Sequence, residues 1–194
     1  MKRILAACAA IALATLSIQI SSASNISSPG TLVSQGYSQL AHGAPGNAVK
    51  TFTQVLQAEP NNMTARRYLA HALTQSGQYQ QATVQFQYLA KYMSLQAVDL
   101  SQWATAYLQL GNNQQALNCY NQALKLDPQF GPAVVGLIKT HLAMSDKNQA
   151  RALCETAITQ VRDRNWQEQI RQLFEQTREN KDSDADVQGA TQPG

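Results

Sequence analysis

Three histidines, His42, His71 and His141, and two cysteines distant from the N-terminus, Cys119 and Cys154, have the widest chemical range in this chain. A histidine beside a hydroxyl or thiol makes a general base, and several histidines, thiolates or carboxylates together hold a metal. Neither pattern is present: there is no His-Glu-x-x-His, no Cys-x-x-Cys and no glycine-rich phosphate loop. Serines, tyrosines and carboxylates are scattered without a nucleophile and base at a shared spacing. The residues therefore predict no enzyme, no metal site and no cofactor. His141 is expected on the packed inner face of its helix rather than as a ligand. An oxidising compartment would permit a bridge between Cys119 and Cys154. Their predicted places on neighbouring units argue for Cα atoms beyond the ~7 Å that a disulfide spans.

The elements that position these residues are helical. Residues 97–130 hold two apolar patterns of helical period on either side of Gly111-Asn112. Leu100, Trp103, Ala104, Tyr107 and Leu108 share one face; Ala116, Tyr120, Ala123 and Leu124 share the next, before Asp127-Pro128 stops the helix. Asn112 is predicted to cap the second helix through its side chain. The hairpin recurs. Ala48, Ala82, Ala116 and Ala150 follow one another at intervals of 34 residues. Four residues after each come Phe52, Phe86, Tyr120 and Cys154, and three further on Val55, Leu89, Ala123 and Ala157. Gly43, Gly77, Gly111 and Ser145 mark the turns; Pro60, Ser94, Pro128 and Arg162 mark the ends. Cys154 thus falls in a core column, where a thiol behaves as a small buried hydrophobe.

The period and the aromatic, small and proline columns resemble the tetratricopeptide repeat, a helix–turn–helix unit of ~34 residues. The third copy fits best, with Leu100 for the usual Trp, Trp103 for the usual Leu and Ala104 for the usual Gly. The resemblance implies an all-α solenoid of four hairpins, residues 29–62, 63–96, 97–130 and 131–164, serving as a non-catalytic scaffold that binds peptides or helices. A capping helix is predicted over residues 165–179, because Trp166, Ile170, Leu173 and Phe174 form a stripe that can cover the exposed end of the array. Residues 180–194 are polar, with Asp182, Asp184 and Asp186, and are expected to be disordered.

The resemblance also implies a groove lined by the first helix of each hairpin. The fifth and ninth positions of the four copies are Val33 and Tyr37, Arg67 and His71, Ser101 and Thr105, Val135 and Lys139. Leu40, Thr74, Leu108 and Leu142 follow, a row that reads equally as core. Tyr37, Arg67, His71, Thr105 and Lys139 are the predicted partner-binding residues, none of them expected to be needed for helix pairing. Family members that clamp the C-terminal carboxylate of chaperones use a Lys and Asn pair where Val33 and Tyr37 stand, so that role is not expected. A mixed apolar and weakly basic groove suits an amphipathic helix or an extended segment of a protein partner.

Residues 1–23 read as an export signal: Lys2-Arg3, an apolar run from Ile4 to Leu16, then small Ser21 and Ala23 before a cut ahead of Ser24. Residues 24–28 form a linker, and Ser28-Pro29 opens the first helix as cap and first turn. A periplasmic or secreted location follows, with no stable membrane span in the mature form. Leu5-Ala6-Ala7-Cys8 resembles a lipobox, and the alternative is a lipid-anchored, pilotin-type assembly factor for a pilus or secretion system. Only Ile4 to Ala7 would then precede the cysteine, against the usual ~7–15 apolar residues. Loss of Lys2 and Arg3 lowers the net charge from +3 to +1, too little to attract nucleic acid, and no basic cluster with interleaved aromatics exists.

Overall fold

The computed structural model describes residues 28–188, which form nine α-helices among them. They are α1 (Pro29–Ala41), α2 (Pro45–Ala58), α3 (Met63–Gln75), α4 (Tyr79–Tyr92), α5 (Ala97–Gln109), α6 (Asn113–Leu126), α7 (Gly131–Ala143), α8 (Lys147–Gln160) and α9 (Arg164–Gln188). The architecture is an all-α solenoid of four helical hairpins closed by a ninth helix. The expected export signal, residues 1–23, lies outside the described residues.

Each hairpin turns by one device. The second residue after the first helix takes a left-handed conformation, with φ of 69° at Gly43, 78° at Gly77, 76° at Gly111 and 61° at Ser145. The next N–H then reaches back to a carbonyl of the last turn: Ala44 to Gln39 and Gln78 to Leu73 at 2.8 Å, Asn112 to Tyr107 and Asp146 to His141 at 2.9 Å. Ser145 has a Cβ that glycine lacks, so the fourth turn is the strained one. Ser28 caps α1, accepting from the Thr31 N–H at 3.3 Å, and Asp146 caps α8, accepting from Gln149 at 3.2 Å. Asn112 makes no such bond, contrary to expectation. Its own backbone is occupied by the turn, and the Asn113 N–H goes instead to the Gly111 carbonyl at 2.9 Å.

The 34-residue columns are the core. Ala48, Ala82, Ala116 and Ala150 are fully buried, which lets the two helices of each hairpin close on one another, and Phe52, Phe86, Tyr120 and Cys154 fill the space above them. The larger rings need compensating gaps. A Cβ on Gly36 would sit 2.6 Å from the Phe52 ring, and one on Gly136 would sit 2.2 Å from that of Tyr120. Cys119 and Cys154 are both buried free thiols.

First helices touch first helices: α1 meets α3, α3 meets α5 and α5 meets α7. No second helix meets the next second helix among the described residues. The array therefore curves with α1, α3, α5 and α7 on the inside. Helix α9 packs against α7 and α8. Its Ile170 and Leu173 are buried with Val134, Ile138 and Cys154, and Trp166 lies over Gly131, where a Cβ would come within 2.3 Å of the indole. The helix passes the Glu179 boundary set by the apolar stripe, because no glycine or proline interrupts the sequence before Gly189.

Candidate functional site

The inner face is built on α1, α3, α5 and α7, and the five predicted side chains occupy it unequally. Tyr37 on α1 is 57 % exposed and meets the edge of Tyr68 with ring centroids 5.5 Å apart. Lys139 on α7 is exposed and has no carboxylate partner among the described residues. Arg67 and His71 are half-buried one turn apart on α3 and converge on a single carboxylate, Asp99 at the start of α5. Thr105 on α5 contacts the Tyr120 hydroxyl at 2.9 Å while donating to the Ser101 carbonyl, also at 2.9 Å. So Arg67, His71 and Thr105 do tie helices together, contrary to the expectation that none of the five takes part in helix pairing. Val33, Ser101 and Val135 lie deeper than the ninth-position residues, and the Leu row at Leu40, Leu108 and Leu142 packs half-buried against the core.

Asp99 is the electrostatic centre of this face. It is 0 % exposed. The Gln96 N–H donates to Oδ2 at 3.0 Å, His71 Nε2 lies 2.9 Å from Oδ1 and Arg67 Nε lies 3.2 Å from Oδ2. The Arg67 Nε–H is not aimed at that oxygen, so this contact is ionic without being a hydrogen bond; the guanidinium also places Nη2 3.7 Å from Met93 Sδ. Burial alone would raise the carboxyl's pKa, but the His71 and Gln96 hydrogen bonds and the charges of His71 and Arg67 outweigh it and hold it below the usual carboxylate range. The result is a fixed anion that orients two cationic or polar side chains at the groove wall.

An aromatic series runs from this face into the core behind it. Tyr68 stacks on Phe52 at 5.7 Å, His71 lies 5.9 Å from Phe86, Phe86 stacks on Trp103 at 6.1 Å and Trp103 on Tyr107 at 5.5 Å. Tyr68 and Asp99 are the residues that pattern reading overlooked. Tyr68 stands out of the core columns, and Asp99 is detectable only through Gln96-x-x-Asp99, a capping-box-like spacing that announces a helix start and not a tie between repeats.

The remaining thiols and histidines stand apart from one another among the described residues. The Cys119 thiol is pushed up to about 11 by burial, and that of Cys154 to about 11 by burial and the neighbouring Glu155 charge. His42 lies near the Ser38 carbonyl at 2.7 Å on the surface, and His141 sits 3.3 Å from Asp146 across the α7–α8 turn, so the three histidines stay apart. No group of three His, Cys, Asp or Glu side chains suited to a metal occurs among the described residues. No helix among them is long and apolar enough to cross a membrane.

The family model described as tetratricopeptide repeat matches residues 39–91 and 107–173. Among curated proteins nothing matches the chain. Among solved structures, a thermophilic repeat protein of this type from Thermus thermophilus is similar at 17 % identity, covering 76 % of this chain and 81 % of its own, with a TM-score of 0.64. MamA of Desulfovibrio magneticus matches at 20 % identity over 68 % of this chain and 74 % of its own, TM-score 0.63. A tetratricopeptide repeat protein from Parabacteroides merdae matches at 19 % identity over 79 % and 61 %, TM-score 0.61. At these identities the likeness establishes the fold alone.

Proposed function

The chain belongs to the tetratricopeptide repeat family, and from that premise we propose that it is a non-catalytic adaptor whose inner face holds a segment of another protein. Members of this family are in general interaction scaffolds, and the fold presents one continuous surface suited to that task. The observation that carries the reading is the wall made by Tyr37, Tyr68, Arg67 and His71: an exposed ring held edge-on by a second, beside a cation and an imidazole fixed by a buried anion. Tyrosine and arginine supply much of the energy of protein interfaces, and pre-ordered side chains lose little entropy on binding. An amphipathic helix or extended segment with acidic side chains suits this wall and the free Lys139.

The site of action we infer is the periplasm or the cell exterior, on the strength of Lys2-Arg3, the apolar run and the small residues Ser21 and Ala23. Intact mass of the exported protein should show Ser24 as the first residue; a lipid-modified Cys8 would overturn that and favour an anchored assembly factor. The binding reading is tested by placing a photo-crosslinking amino acid at position 37 or at position 81 of the exported chain. Capture of a defined protein from position 37 and not from position 81 supports the inner face; the reverse overturns it.

A further inference from the structure

The outer side of the array carries a second built feature, at the junction of the second and third hairpins. The links α2–α3 and α6–α7 are folded by a turn bond, Asn62 N–H to Glu59 at 3.0 Å and Phe130 N–H to Asp127 at 3.1 Å. The α4–α5 link has the same length but Ser94 in place of Pro60 and Pro128, and no bond of that kind among the described residues. Its first residue, Met93, is extended, with φ −155° and ψ 158°. The ends of α4 and α6 stand apart, and an open groove of ≈ 650 Å³ lies between them. Leu95, Leu100 and Trp103 line it from below, and Lys91 and Lys125 from its sides.

The rim is not a by-product of the repeat. Lys91-Tyr92 and Lys125-Leu126 occupy one column of the 34-residue period, whereas the first and fourth copies have Gln57-Ala58 and Thr159-Gln160 there. Tyr92 is 55 % exposed and Leu126 60 %, each the last residue of its helix. Neither lysine meets a carboxylate among the described residues. Helix C-termini favour a cation, which explains one lysine at each end but not the exposed apolar neighbour or the groove between them.

We propose that this groove is a second docking surface, separate from the inner face, for an acidic protein segment that carries a large apolar side chain. The apolar side chain would lie on Leu95, Leu100 and Trp103 between Met93 and Leu126, and flanking carboxylates would meet Lys91 and Lys125. Charge complementarity favours an anionic segment. A membrane surface is read by clusters of ~4–8 basic residues on an open face, and two lysines beside a side-chain-sized groove do not make one.

The test selects binders from a phage-displayed random 12-residue peptide library on the full exported chain. It then measures the selected peptides by calorimetry on three proteins: wild type, Lys91→Glu with Lys125→Glu, and Tyr37→Ala. The expected peptides are rich in Asp and Glu around Leu, Phe or Trp. Their affinity should fall at least tenfold on the double lysine variant, which should melt like wild type, and stay within twofold on Tyr37→Ala. Selection of peptides without acidic bias, equal binding to the lysine variant, or no selectable binder overturns the proposal. Lysine-dependent binding to phosphatidylglycerol vesicles without peptide binding overturns it in favour of a lipid surface. Loss on Tyr37→Ala alone would return the peptides to the inner face.

Discussion

Helices α3 and α7 hold the same place two hairpins apart, and they are used in opposite ways. At the fifth and ninth repeat positions α3 has Arg67 and His71, partly buried on the inner wall and anchored to Asp99. At the same positions α7 has Val135, 4 % exposed, and Lys139, in water. The cause is the neighbour. Helix α3 lies between two hairpins and keeps one face open, whereas α7 is also covered by α9, so Val134, Val135 and Ile138 are drawn into a core with Ile170 and Leu173. A repeat near the end of an array exchanges open surface for closure, so under the proposed reading most of the partner's contacts fall on α1, α3 and α5, with Lys139 at their margin.

The strongest way to break this comparison is to remove its cause. Truncation after Asp163 takes away Trp166, Ile170, Leu173 and Phe174, and should destabilise by several kcal/mol at about 1.5–3 kcal/mol per large side chain. Urea unfolding should show it, while removal of residues 180–194 should change little; equal midpoints for both would mean α9 is no cap. Next in size is Gly136→Ala on α7, where the new Cβ meets the Tyr120 ring at 2.2 Å. A loss of about 1–3 kcal/mol is expected from overpacking, and Tyr120→Phe should relieve part of it by removing the hydroxyl that lies 2.5 Å from the same position.

Asp99→Asn tests the other side of the comparison. It leaves Arg67 and His71 facing a neutral amide, and should cost about 2–3 kcal/mol, below the ~3–5 kcal/mol of a fully buried pair because Arg67 is partly solvated. The pH dependence has a definite sign. A carboxyl whose folded pKa lies below its unfolded value contributes stability that is complete above about pH 4 and is lost as pH falls through the folded value. The wild-type acid limb should therefore be steeper than that of the Asn variant below about pH 4; parallel limbs would show that Asp99 is not held ionised. The smallest effect separates the two kinds of helix start. Asp146→Ala should cost about 1 kcal/mol as a lost cap, and Asn112→Ala less than half of that, because Asn112 accepts no capping bond.

The hairpins and their core were legible because the 34-residue columns are repeated hydrophobic constraints, and Ala48, Ala82, Ala116 and Ala150 each report the same close helix approach. The inner face was legible only as positions. What holds Arg67 and His71 is Asp99, an acid present in one copy alone, and a single tie between adjacent repeats leaves no period to detect. Thr105 was misjudged for a similar reason: its partner Tyr120 has a hydroxyl where the two earlier copies have Phe52 and Phe86, so the need for a bond arises once. Asn112 has the composition of a cap, but the turn before it already commits its backbone. The length of α9 beyond its stripe depends on the absence of a breaker, which an apolar pattern does not report.

The central claim is that recognition belongs to the inner wall of α1, α3 and α5. Calorimetry with the protein captured from position 37 addresses it most directly, using Tyr37→Ala against the outer pair Gln81→Ala with Gln115→Ala, both exposed on α4 and α6. Tyr37→Ala should weaken binding by about 2 kcal/mol, as truncation of an interface anchor does, with an unchanged melting curve, and the outer pair should bind like wild type. Wild-type affinity for Tyr37→Ala together with a weakened outer pair would contradict the claim and move recognition to the convex side.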